Sequence, residues 1–148
     1  MFAFSAPQLQ AVLTVPFFMN FAQRILIERT DLNDSNVGTI LEQSVFLARH
    51  TPIWMFSRAL VSVPFKINVY QWTHLTMRPH GKDIGIQCPG CGSLSSRKGR
   101  EAADKSSIII VCKKPECKWS KTFPAPLGVE RLKLGEKGQW RYRTIIAE

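Results

Sequence analysis

The first 23 residues carry no charged side chain, yet they contain no uninterrupted apolar run of spanning length. Gln8, Gln10, Asn20 and Gln23 interrupt the stretch, Pro7 and Pro16 break its helical continuity, and no Lys or Arg precedes it. A membrane anchor or cleaved leader is therefore not expected, and a transit peptide would be richer in Arg and Ser. A buried pair of amphipathic helices is the expected state. Acidic residues are scarce: 11 Asp and Glu stand against 20 Lys and Arg, for a formal charge of +9. Such a balance fits phosphate backbones, anionic membrane or plain solubility. Internal repeats and low-complexity stretches are lacking. There is no phosphate-cradling glycine loop and no nucleophile elbow. His50, His74 and His80 have no partner at a spacing that suggests ligation or general-base chemistry, so no catalytic residue is named and an enzyme is not expected. Cysteine is rare as well. All four lie in two close pairs, too few for a disulfide scaffold, which favours a reducing, nuclear or cytoplasmic setting.

What is present is the arrangement of those four: Cys88-Pro89-Gly90-Cys91 and Cys112-Lys113-Lys114-Pro115-Glu116-Cys117. Each pair can bring two thiolates onto one side of a tight turn, and the intervening stretch is long enough for two strands to carry the second turn to the first. That is the geometry of a tetrahedral Cys₄ zinc site. A redox Cys-x-x-Cys normally stands alone, whereas here a second pair follows. An iron–sulfur centre uses the same ligands. With four thiolates no coordination position is left for water or substrate, so one structural zinc is expected, with its binding energy serving as folding energy.

The string Cys88-Pro89-Gly90-Cys91-Gly92-Ser93, then Arg97-Lys98-Gly99, then Cys112 and Pro115-Glu116-Cys117-Lys118-Trp119, resembles the zinc ribbons in the C-terminal tails of type IA DNA topoisomerases. It is also similar to the zinc ribbons at the N-termini of insertion-element transposase subunits, which place Thr-Phe after the last cysteine, as Thr122-Phe123 do here. The second pair is one residue shorter than in most topoisomerase ribbons, and Ile108-Ile109-Ile110-Val111 replaces the usual glycine-aromatic step; transposase ribbons have a tighter second pair. The resemblance covers about 40 residues of the chain and implies a module that holds DNA rather than RNA. No family is recognised for residues 1–80.

Charge is shared unequally. Residues 1–80 hold six Lys/Arg and four Asp/Glu, for +2, and residues 81–148 hold fourteen and seven, for +7. A zinc tetrathiolate carries −2, leaving the second part at about +5. Lys113, Lys114, Lys118 and Lys121 surround the second cysteine turn with Trp119 among them, and Arg97, Lys98 and Arg100 form a second basic group; these are the candidate nucleic-acid contacts. Each has an ordinary alternative. Trp119 and Phe123 can be the core of a small ribbon, the lysines can offset the −2 of the centre, and the Arg97 group can be a solvated loop.

Along the chain, Ser5 can cap a short helix at Pro7, and Thr14 with Pro16 repeats that signal. Phe17, Phe18, Phe21, Ala22, Ile25 and Leu26 mark one helical face. Ser35 or Asn36 can cap a second helix with inner face Val37, Ile40, Leu41, Val45 and Ala48, ending near His50 because Pro52 follows. Alternation at Val61, Val63, Phe65, Ile67 and Val69 predicts a strand with that side buried and a turn near Asn68. Three ribbon strands are expected at 83–87, 107–111 and 119–123, with a polar loop at 95–101. A hairpin follows at 131–134 and 139–146, joined by Gly135-Glu136-Lys137-Gly138, with Trp140, Tyr142, Thr144 and Ile146 on one face. The expected fold is α+β: N-terminal helices on a small sheet (1–80), a zinc ribbon (81–126) and a C-terminal β-hairpin (127–148). The rival function is a protein-interaction module meeting its partner through Ile53, Trp54, Met55 and Phe56.

Overall fold

The computed structural model describes residues 1–58, 60, 62–94, 96–135 and 138–146; within the C-terminal hairpin, side chains are described at Val129, Glu130, Leu132, Thr144 and Ile145. The chain forms two compact units, one of residues 1–72 with 128–148, the other of residues 73–127. The second unit is thus inserted, in chain order, between strands of the first.

The first unit is α+β. Strands β1 (Phe2–Phe4), β2 (Ile53–Ser57), β3 (Lys66–Thr73), β7 (Val129–Gly135) and β8 (Gly138–Ile146) form one sheet in the order β1-β2-β3-β8-β7. The C-terminal hairpin is therefore part of this sheet and not a separate appendage. Its strands run to Gly135 and Gly138, which pair with each other; Glu136 and Lys137 lie outside the described residues, as do the side chains of Trp140, Tyr142 and Ile146.

The segment at Ser5 and Pro7 does not start a helix. It leaves β1, and the Thr51 hydroxyl accepts from the amides of Ser5 and Ala6 at 2.8 and 3.0 Å. Helix α1 spans Ala11–Phe21 with Pro16 inside it and runs on as a π-helical segment, Ala22–Ile27. Its inner face is aromatic: Phe17 meets Phe2 edge-on at 5.1 Å between ring centroids, and Phe2 meets Phe21 at 4.9 Å. Helix α2 (Asp34–Glu42) is capped by Asn33, whose side chain accepts from the Asn36 amide at 2.9 Å, so the cap lies ahead of the expected Ser35 or Asn36. The expected single helix is broken at Ser44, which leaves helical geometry while its hydroxyl donates to the Ile40 carbonyl; α3 (Val45–His50) follows. These helices bury Phe17, Val37, Ile40, Leu41, Leu47 and Ala48 with Ile53, Met55, Tyr70, Trp72 and Leu132 of the sheet.

β3 turns the opposite side inward from the one its apolar alternation predicts, and it runs through Asn68 without a turn. Asn68, Tyr70 and Trp72 are buried, while Val63 and Phe65 are exposed; Val61 lies outside the described residues. The two large aromatic rings offer more area to bury than the β-branched side. Asn68 is admitted because it is bonded: its amide reaches Asp34 Oδ1 at 3.4 Å and the Tyr70 hydroxyl at 3.3 Å, and it accepts from Thr144 Oγ1 at 3.3 Å. Ile53 and Met55, expected in a partner-facing patch, are core residues of β2, and Trp54 and Phe56 are half-buried.

In the second unit, β4 (Arg97–Glu101), β5 (Ser107–Cys112) and β6 (Ser120–Pro124) make an antiparallel sheet. The basic segment expected as a loop is thus a strand. In its place residues 83–87 form no strand; only Gln87 makes an isolated bridge, to Leu94. His74 Nδ1 accepts from the Met77 amide at 3.2 Å within a turn, and His80 is buried in a 3₁₀ turn, Pro79–Gly81, with a left-handed backbone. Among the described residues no helix is long and apolar enough to cross a membrane.

Candidate metal centre

Each cysteine pair closes on itself through its own backbone. In the first, the Cys88 amide donates to the Ser93 carbonyl at 2.9 Å and the Gly92 amide to the Cys88 carbonyl at 2.8 Å; Gly92 takes a φ of +67° that a side chain would resist. In the second, the Cys117 amide donates to the Lys114 carbonyl, and the Cys112 amide reaches the Trp119 carbonyl, both at 3.0 Å. Gly90 sits where the two turns meet. A Cβ there would lie 2.7 Å from Trp119 Cβ and 3.0 Å from Cys117 Sγ, so only glycine lets the turns approach.

This approach brings all four sulfurs within 4.8 Å of one another. Cys88 Sγ lies 3.8 Å from Cys117 Sγ, and Cys91 Sγ lies 3.8 Å from Cys112 Sγ, each contact joining one turn to the other. A regular tetrahedron with a metal–sulfur length of about 2.3 Å has edges of about 3.8 Å. A disulfide would need about 2.05 Å. All four thiols are free. The four side chains can therefore hold one metal ion, and the expected ligand set, Cys88, Cys91, Cys112 and Cys117, is brought together in full. No family model, curated protein or solved structure matches this chain. The metal reading stands on this geometry.

The polar surroundings prepare the sulfurs for charge. The amides two residues beyond three of the cysteines, those of Ser93, Lys114 and Trp119, donate to the sulfurs of Cys91, Cys112 and Cys117. The Ser93 hydroxyl, helped by its amide, holds the Cys91 thiol down to about 6, and the Ser96 hydroxyl, 3.5 Å from Cys112 Sγ, lowers Cys112 as well. Cys117 is pushed up to about 12: the Trp119 amide favours its thiolate, but burial and the three adjoining sulfurs outweigh that bond. Four neighbouring sulfurs cannot all carry charge unaided, and a bound metal cation would supply the compensating charge. These donors were not singled out from the sequence; Ser93, two residues beyond Cys91, is the one a local signal could have found, whereas Ser96 is 16 residues from Cys112.

The basic candidates do not form one surface. Lys98 and Arg100 are exposed on the outer face of the sheet, opposite Val111 and Ile109. Lys121 lies on the other face, opposite Ile110, with its Nζ 5.3 Å from the Phe123 ring centroid. Lys113, Lys114 and Lys118 are exposed around the second turn. Arg97 is a strut. Its guanidinium donates to the carbonyls of Ile84 at 2.6 Å, Ile86 at 3.4 Å and Gly85, tying the segment ahead of the first turn to β4. Phe123 is buried with Ile108 and Ile110, and Trp119 packs half-buried against that cluster.

Proposed function

We propose that residues 73–127 are a zinc ribbon in which one structural zinc, bound by Cys88, Cys91, Cys112 and Cys117, orders a basic nucleic-acid-binding module, for DNA rather than RNA. The sulfur tetrahedron carries this reading. Four sulfurs around one centre leave no open coordination position, which supports a structural ion over a catalytic one. Their closeness, within 4.8 Å of one another, favours a mononuclear ion over a polynuclear iron cluster. Charge supports the second half of the reading: this unit holds ten Lys/Arg and four Asp/Glu, for +6, or about +4 beside a zinc tetrathiolate.

The test has two parts on the intact chain. Elemental analysis of protein purified without added metal should give one zinc per chain; iron, or no metal, contradicts the proposal. Binding of a labelled DNA oligonucleotide should weaken linearly in log–log form as salt rises, and more weakly held RNA of equal length should follow the same trend. Failure to bind at low salt rejects the nucleic-acid role while leaving the zinc site standing.

A further inference from the structure

We infer that the nucleic-acid surface is the outer face of β4–β5–β6 together with Lys113 and Lys114, and that it holds the phosphate backbone without stacking bases. This rests on the nucleic-acid reading above and makes it specific. Residues 73–127 contain two aromatic side chains, Trp119 and Phe123. Phe123 is 3% exposed. Trp119 is half-buried against the same Ile108–Ile110 cluster, and its Cβ and Cγ lie beside Gly90. A base-stacking platform needs an exposed aromatic ring; Phe123 is buried and Trp119 is half-buried in the packing of the module.

The outer face offers a different chemistry. Cross-strand register places Lys98, Arg100, Ser107, Ile109, Val111, Ser120, Thr122 and Pro124 on it. Lys98, Arg100, Ser120 and Thr122 are exposed. Two cations and a row of hydroxyl donors stand there, and the register places no carboxylate of β4, β5 or β6 beside them among the described residues. Of the unit's acidic residues, Glu101 is on the inner face opposite Ile108, Asp104 is in the turn where it accepts from the Ser106 amide, Asp83 lies ahead of the first cysteine turn, and Glu116 shares the second turn with Lys113 and Lys114. The Lys113 amide donates to the Ser96 carbonyl, which sets Lys113 beside the start of β4 and so continues the positive strip from Arg100 and Lys98 to the metal end. Charge complementarity and hydroxyl donors suit phosphate oxygens, whose contacts position a nucleic acid without reading its sequence.

The deciding experiment compares a labelled oligothymidine with an abasic phosphodiester strand of equal length, both titrated against the zinc-loaded full chain. The two should bind within about twofold of each other with equal salt slopes, since only phosphates are held. K98E with R100E should weaken both by about tenfold or more and reduce the slope by ~1.4 on single strands, while zinc content stays at one per chain. K121E, on the opposite face, should change affinity by less than about twofold. An abasic strand bound more than tenfold worse than oligothymidine, or affinity unmoved by the double reversal, overturns the inference. Loss of zinc in K98E with R100E transfers the comparison to Lys98→Gln with Arg100→Gln, which must give the same direction at smaller size. Absence of binding to either strand overturns the nucleic-acid reading itself.

Discussion

Gly90 shows how one missing side chain decides whether the centre can form. Ala at this position would force apart Trp119 and the first cysteine turn, because 2.7 Å between Cβ atoms is not a distance that rotamers can relieve. Gly90→Ala is expected to lower zinc affinity by about tenfold or more, roughly 1.4 kcal/mol, in a chelator competition. Gly85→Ala, where a Cβ meets nothing within 4 Å, is the matched control and should bind zinc as the parent does. In the first unit the corresponding residue is Tyr70. Burial pushes its phenol above the ordinary range, with Asn68 opposing and Asp34 reinforcing the shift. The folded state therefore favours the protonated phenol. Its contribution is complete below the unfolded value of about 10 and is lost as pH rises beyond it, because the unfolded chain ionises first. Denaturation midpoints of the full chain should fall above pH ~10, and Tyr70→Phe should flatten that fall while costing about 1–3 kcal/mol at neutral pH through the bonds left unmade to Asn68 and Asp34. A fall of equal steepness in Tyr70→Phe would assign the alkaline loss to other groups.

At the scale of elements, β4 exists because of what lies far from it in sequence. Arg97, Gly99 and Glu101 face inward, an arrangement with no apolar alternation to betray a strand. Gly99 admits the Leu75 carbonyl, 2.7 Å from where a Cβ would stand, and Arg97 satisfies backbone carbonyls at Ile84 and Ile86. Arg97→Ala should raise amide exchange in residues 84–88 by about tenfold or more, and Arg97→Lys should not restore protection, since one ammonium cannot span several carbonyls. Equal protection in the alanine variant would show the strut to be dispensable. β5 and β6, by contrast, were legible from their place beside the second cysteine turn, as were the turns themselves, whose chemistry is local. The face of β3 was not legible. Asn68 reads as a solvent-facing residue until Asp34, Tyr70 and Thr144 are seen around it, and those partners come from three different elements. The Asn33 cap was missed for a smaller reason: several adjacent residues, Asn33, Ser35 and Asn36, offer equivalent capping oxygens.

For the whole molecule, the two units differ in what holds them. The first buries a core drawn from three helices and its sheet; the second buries Ile108, Ile110 and Phe123 beside Cys88. A core of three buried side chains, with Ile84 and Trp119 packed against it, is small for a unit of this length, so a bound metal would contribute directly to its folding. Chelation should therefore abolish amide protection across residues 97–124 while leaving α2 and β2 protected, read by hydrogen exchange on the intact chain. Loss of protection in both units together would mean that they fold as one. The α+β class of the first unit was readable from its change of hydrophobic period, but the inclusion of the terminal hairpin in its sheet was not, because strand order depends on pairing across an insertion.

The most direct measurement is X-ray absorption at the zinc edge of the full chain purified without added metal. It should show a single shell of four sulfurs at about 2.3 Å. A shell containing nitrogen or oxygen, or protein that carries no zinc and has its cysteines oxidised in pairs, would contradict the account at its centre.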